Sequence, residues 1–123
     1  MASRKLVLLV DHHPEVREVF QQAVEQMDLD LITAIDGQEG LDGAKEHKPA
    51  LIVVRRDAPI LNAQSVSVLL KQSPATEKIP VVVLCSGMTE EDKELFKDAG
   101  CDDCLKEPLE KEKIMLKLKE WLD

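Results

Sequence analysis

The residues able to do chemistry stand at a few points of the chain. Asp11-His12-His13 sets a carboxylate beside two imidazoles directly after an apolar run. Arg55 and Arg56 end a second run, Leu51-Ile52-Val53-Val54, and Asp57 follows them. Cys101-Asp102-Asp103-Cys104 has the spacing of a redox dithiol or of half a zinc site. Cys85 closes a third run and, with His12 and His13 at the same sheet edge, offers transition-metal ligands. Each cluster also has a plainer reading. A functional dithiol opens a helix, where the dipole lowers the thiol pKa, but this pair falls between a helix end and a strand. No second Cys-x-x-Cys completes a zinc site. His13, before Pro14, reads as a helix-start residue.

The elements that must position these groups follow from periodicity. Leu6-Val7-Leu8-Leu9-Val10, Leu31-Ile32-Thr33-Ala34, Leu51 to Val54, Val81-Val82-Val83-Leu84 and Cys104-Leu105 read as strands. Between them lie helical patterns. The first carries Val16, Val19, Phe20, Ala23, Val24 and Met27, and the second opens at Asp36-Gly37 with Leu41 and Ala44 inward. A third is marked by Ala63, Val66, Leu69 and Leu70. A fourth starts near Thr89, buries Leu95, Phe96 and Ala99, and ends at Gly100. The last runs from Glu110 to Leu122 with Ile114, Leu118, Trp121 and Leu122 on one face. Alternation of this kind predicts an α/β, doubly wound parallel sheet with right-handed crossovers, in the order 2-1-3-4-5. Arg55 then lies at the carboxyl end of the central strand, where open α/β sheets place ligands and chemistry.

A chain of 123 residues reads as a single domain able to bury a core without staples. A net charge of −8 argues against a nucleic-acid groove, which needs clustered Lys and Arg. Three cysteines cannot all pair internally, which suits a reducing compartment, and the run 6–10 is too short for a signal-peptide core or membrane span. The expected address is cytoplasmic.

Four segments carry a resemblance to a known family. They are Leu-Val-Asp-His-His-Pro at 9–14, Pro-Ala-Leu-Ile-Val-Val-Arg-Arg-Asp-Ala-Pro-Ile-Leu-Asn-Ala at 49–63, Ile-Pro-Val-Val-Val-Leu-Cys-Ser at 79–86, and Ala-Gly-Cys-Asp-Asp-Cys-Leu-Lys-Glu-Pro at 99–108. The chain thereby resembles response-regulator receiver domains of two-component signalling, from about Lys5 to Leu122. The resemblance implies the (βα)5 flavodoxin-like receiver fold and a site where Mg²⁺ and a phosphorylated aspartate meet.

Carried over residue by residue, that site is altered. Asp11 matches the first of the family's acidic pair, and His12 replaces the second as a filler of the vacated Mg²⁺ pocket. Arg55 takes the place of the phosphoacceptor, and a guanidinium cannot attack phosphorus as a carboxylate does. Cys85 replaces the hydroxyl residue, and Glu107 the lysine of the family's Lys-Pro pair. Cys104 stands at the aromatic switch position, Cys101 where the family has Ala. Mg²⁺ binding is expected to be weak or absent, because imidazole substitutes poorly for hard oxygen.

These changes imply a degenerate receiver, a pseudo-receiver, serving as a phosphorylation-independent protein-interaction module and not as an enzyme. Alternatives are phosphorylation on another carboxylate such as Asp57, and a Cys-x-x-Cys redox or metal-binding variant on the same fold. The signs at Arg55 and Glu107 are exchanged relative to the family, so either an ion pair spans the old site or two solvated side chains line a loop rim. Partners would be signalling proteins docking on the face of helix four, strand five and helix five, with Leu116 as the first contact residue; Val68 is also out of phase on its helix. The same face admits weak homodimerisation. Neither nucleic acid nor membrane is expected as a partner.

Overall fold

The computed structural model of the protein describes residues 4–123. In chain order the elements are β1 Leu6–Val10, α1 Pro14–Glu25, β2 Asp30–Ala34, α2 Gly37–His47, β3 Leu51–Arg55, α3 Ala63–Lys71, β4 Val81–Cys85, α4 Glu90–Asp98, β5 Asp103–Lys106 and α5 Lys111–Leu122. The five strands form one parallel sheet in the order β2-β1-β3-β4-β5. Alternation of apolar strands with amphipathic helices is what produces it, since each crossover must return a helix over a sheet face.

The sheet separates two cores. Val7, Leu9, Leu51, Val53, Val82 and Leu84 face one side, where α1 and α5 bring Phe20, Val24, Ile114 and Leu118. Leu8, Val10, Ile52, Val54, Val81 and Val83 face the other, against Leu41, Val66, Leu70 and Phe96 from α2, α3 and α4. Strand side chains alternate between faces, so a strand buried on both must be apolar throughout. Each such side chain contributes about 1.5–3 kcal/mol by leaving water.

Two helix faces differ from the sequence expectation. Leu95, expected in the core, is 54% exposed, and Leu69 is also exposed. On α4 the inward line runs through Phe96 and Ala99; one residue back from Phe96 is a rotation of about 100°, which carries Leu95 toward solvent. On α3 the inward line is Ala63, Val66, Ser67 and Leu70, so Leu69 shares the outer surface with Val68. Among the described residues, no helix is long and apolar enough to cross a membrane.

Two local features steady the sheet, one at its carboxyl edge and one at the amino end of β5. Gly37 donates its N–H to the Pro59 carbonyl at 2.9 Å, and a Cβ there would lie 1.7 Å from the Leu61 carbonyl oxygen. Glycine thus lets the loop after β2 press on the loop after β3. At the other side, Asp103 of β5 accepts from Lys117 Nζ at 2.9 Å and from Trp121 Nε1 at 2.8 Å, fastening α5. Burial alone would raise the Asp103 pKa. The bonds from Lys117, Trp121 and the Cys104 amide outweigh it and hold the carboxyl below the usual aspartate range.

A depressed carboxyl pKa contributes stability that is present above the unfolded value and is lost as pH falls through the folded value. Acid titration should therefore shift the emission of Trp121 only below the ordinary aspartate pKa of about 3.9, with stability falling alongside. Asp103→Asn should flatten that dependence while lowering stability at neutral pH. An unchanged pH profile in the variant would remove Asp103 as the anchor.

Candidate functional site

The carboxyl ends of β1 and β3 lie side by side, because β1 pairs directly with β3 in the sheet. Asp11 follows β1 and is buried, with its N–H bonded to the Ala34 carbonyl of β2 at 3.0 Å. Arg55 is the last residue of β3 and is only 9% exposed. Its Nε donates to Asp11 Oδ2 at 2.7 Å, and its Nη1 donates to Glu107 Oε1 at 2.9 Å. Glu107 is held there by its own N–H, which bonds the Cys85 carbonyl at the end of β4 at 2.8 Å. Three charges from distant parts of the chain form one cluster.

The other oxygen of Asp11 is also engaged. Oδ1 accepts the His13 backbone N–H at 2.9 Å and meets His13 Nδ1 at 2.7 Å. A buried carboxylate needs partners on both oxygens, and this one has them. Burial by itself would lower the pKa of Arg55, but the bonds to Glu107 and Asp11 raise it above the ordinary arginine value. The guanidinium is therefore charged, desolvated and aimed at two carboxylate acceptors.

Two sequence assignments change, and the one for His13 holds. His12 does not fill the space beside Asp11; it is exposed, its ring 4.1 Å from that of His13, and Arg55 fills that space instead. A guanidinium on a long stem reaches across from β3, which a neighbouring residue after β1 does not need to match. His13 stands at the N-cap of α1 before Pro14, though its side chain turns back to Asp11 and makes no cap bond. The grouping of His12 and His13 with Cys85 does not form: among the described residues, the one cluster of three potential metal ligands is Asp11, His12 and His13.

Cys85 is buried at the end of β4, whereas Cys101 and Cys104 are half-buried on the α4–β5 connection and β5. Burial, with the nearby Cys104 thiol, pushes the Cys85 thiol up, and burial does the same to Cys101. Reactive thiols need the opposite shift. Asp57 is exposed in the loop after β3.

Sequence reasoning did not reach two contacts. Asp11 was singled out without its partner Arg55. Arg56, the neighbouring residue, was given no role, yet it donates from Nη1 to the Gly87 carbonyl at 3.1 Å and pairs through Nη2 with Asp92 at 3.1 Å. Its guanidinium also lies 5.3 Å over the Phe96 ring, a cation–π distance. The Thr89 amide, helped by Arg56, holds the Asp92 carboxyl below its usual range. The double arginine was the only sequence signal; the partners lie on β1, β4, α4 and the loop after β5, at sequence distances that no local pattern encodes.

A doubly wound parallel sheet in the order 2-1-3-4-5, with a charged cluster at the junction of β1 and β3, defines a flavodoxin-like topology. Residues 7–119 match the response regulator receiver domain, and the chain belongs to that family, a module of two-component signalling. It is 25% identical over 118 residues to the polar-differentiation response regulator DivK of Brucella anthropi, covering 96% of each chain. It is 31% identical over 118 residues to the alkaline phosphatase synthesis transcriptional regulatory protein PhoP of Bacillus subtilis, covering 96% of this chain and 48% of that one. Among solved structures, the chemotaxis response regulator CheY4 of Vibrio cholerae superposes with a TM-score of 0.90 at 21% identity, covering 97% of this chain and 99% of that one.

The cluster makes an unequal prediction for its two carboxylates. The Asp11 side chain is fully buried and that of Glu107 is 31% exposed. Removing Asp11 leaves a buried guanidinium without its fully buried partner, so Asp11→Ala should cost about 3–5 kcal/mol. Glu107→Ala should cost about 1 kcal/mol, because solvent can replace much of that contact. Urea denaturation of the two variants tests this, and equal losses would contradict the geometry.

Proposed function

We propose that this receiver domain has exchanged phosphorylation for a permanent ion cluster and acts as a phosphorylation-independent interaction module, a pseudo-receiver that is not an enzyme. The observation carrying this reading is Arg55 bound to both Asp11 and Glu107 while almost fully buried. By the family register, its guanidinium stands where an acceptor aspartate would stand, and Glu107 where a lysine would meet the phosphoryl group. An arginine cannot be the nucleophile, and a carboxylate repels a phosphoryl group.

Magnesium does not fit the residues present. The ion takes oxygen ligands in a near-octahedral shell. Both oxygens of Asp11 are committed to His13 and Arg55, and the guanidinium 2.7 Å away opposes a divalent cation. The triad instead fixes the ends of β1 and β3 and the loop after β5 in one arrangement. Arg56 extends this to the loop after β4 and to α4 through Gly87, Asp92 and Phe96.

A fixed receiver acts through a surface. Leu116 on α5 is 65% exposed, and Leu95 on α4 joins it as a second exposed apolar residue. The partner is a signalling protein docking on the face made by α4, β5 and α5.

Two experiments test the reading. Intact mass after incubation with Mg²⁺ and a small phosphodonor should show no phosphoryl adduct, beside a control receiver that is modified. A stoichiometric adduct that is acid-stable and base-labile would place an acceptor on another carboxylate, such as Asp57 or Asp11, and end the proposal. For the surface, Leu116→Glu should weaken self-association or partner capture with no change in the thermal midpoint. Unchanged association of every kind would exclude that face.

A further inference from the structure

The free edge of β2 is walled by acid. Asp30 donates to the Lys5 carbonyl and Ala34 accepts from Asp11, both at 3.0 Å, so the main-chain groups of these two residues point toward β1. Along a parallel strand the direction of N–H and C=O alternates by residue. Leu31 and Thr33 therefore direct theirs away from β1, and among the described residues β2 has no neighbour on that side. Within Asp30–Ala34 there is no proline and no lysine, two common means by which edge strands discourage pairing.

A groove of about 540 Å³ runs beside this edge, between β2 and α2. Ile32 and Ala34 line its floor, and Glu39, Asp42 and Glu46 form its wall. These three recur at spacings of three and four, which puts them on one side of the helix. Among the described residues, neither Glu39 nor Asp42 has a cation within 4.0 Å, and Glu46 meets only His47 at 3.7 Å. Asp42 accepts one bond, from the Gln38 amide at 3.1 Å. The wall is thus an uncompensated row of carboxylates above an open hydrogen-bonding edge.

We propose that this edge binds an extended, basic protein segment as a sixth strand, with Lys or Arg at alternate positions facing α2. The main chain would pair with Leu31 and Thr33, and the period-two side chains would meet the acidic wall. The dimensions agree. Glu39 to Glu46 covers about 10.5 Å along the helix, and three alternate strand residues cover about 13 Å. A second copy of this chain is a poor occupant, since edge-to-edge pairing would bring two such walls together at a net charge of −8 each. This surface stands independently of the Arg55 cluster and of the phosphorylation reading.

The probe is a capped, labelled nonapeptide of alternating lysine and valine, with a glutamate–valine peptide as its counterpart, read by anisotropy and amide exchange on the whole chain. Only the basic peptide should bind, and it should slow exchange at the Leu31 and Thr33 amides. Added salt and the double variant Glu39→Lys, Glu46→Lys should each weaken it about tenfold. Thr33→Pro is the sharpest variant, because it removes an outward N–H while leaving the β1–β2 ladder intact. It should abolish binding with the fold retained by circular dichroism. The proposal is overturned by equal binding of both peptides, by undiminished binding to a folded Thr33→Pro chain, by protection confined to other amides, or by a dimer through β2 in sedimentation.

Discussion

The buried guanidinium of Arg55 is the constraint on which the carboxyl edge of this sheet depends. A charge placed there carries a desolvation cost of several kcal/mol, and it must be offset by close, oriented partners. Asp11 supplies one at 2.7 Å from β1, and Glu107 another at 2.9 Å from the loop after β5. Three pieces of chain are thereby held to one geometry. Two carboxylates around one guanidinium leave the cluster with excess negative charge, and His13 adds its N–H and Nδ1 on the far side of Asp11. Loss of a single member would therefore unsettle the others.

The surrounding architecture explains why such a cluster can persist. β1 and β3 are neighbours and are apolar on both faces, so the main chain carrying Asp11 and Arg55 sits on a rigid, close-packed base. Gly37 allows the loop after β2 to close against the loop that follows Arg55. Arg56 then couples the end of β3 to the loop after β4 through the Gly87 carbonyl, and to α4 through the Asp92 carboxylate and the Phe96 ring. In such an arrangement the ends of β1, β3 and β4 and the start of α4 behave as one unit.

Much of the fold was legible in the chain. Runs such as Leu51 to Val54 and Val81 to Leu84 are too apolar and too short for anything but strands buried on both faces, and amphipathic helices between them force parallel pairing. The candidate site was legible in part. Arg55 and Glu107 drew attention because their charges were exchanged relative to a familiar pattern, while His12 was misplaced and Leu95 was assigned to the core. Both errors have one origin: a residue's type says that it can fill a space or be buried, but its direction depends on the element's rotation.

The sequence by itself determined the alternation of strands and helices, the parallel sheet and the chemical types gathered at its carboxyl edge, because periodicity and side-chain chemistry are local properties. Tertiary structure alone decided that Arg55 reaches both Asp11 and Glu107, that Arg56 clamps α4, and that three carboxylates of α2 overlook an open strand edge. Those outcomes depend on distances between residues far apart in the chain, and only the packing of helices on the twisted sheet sets such distances.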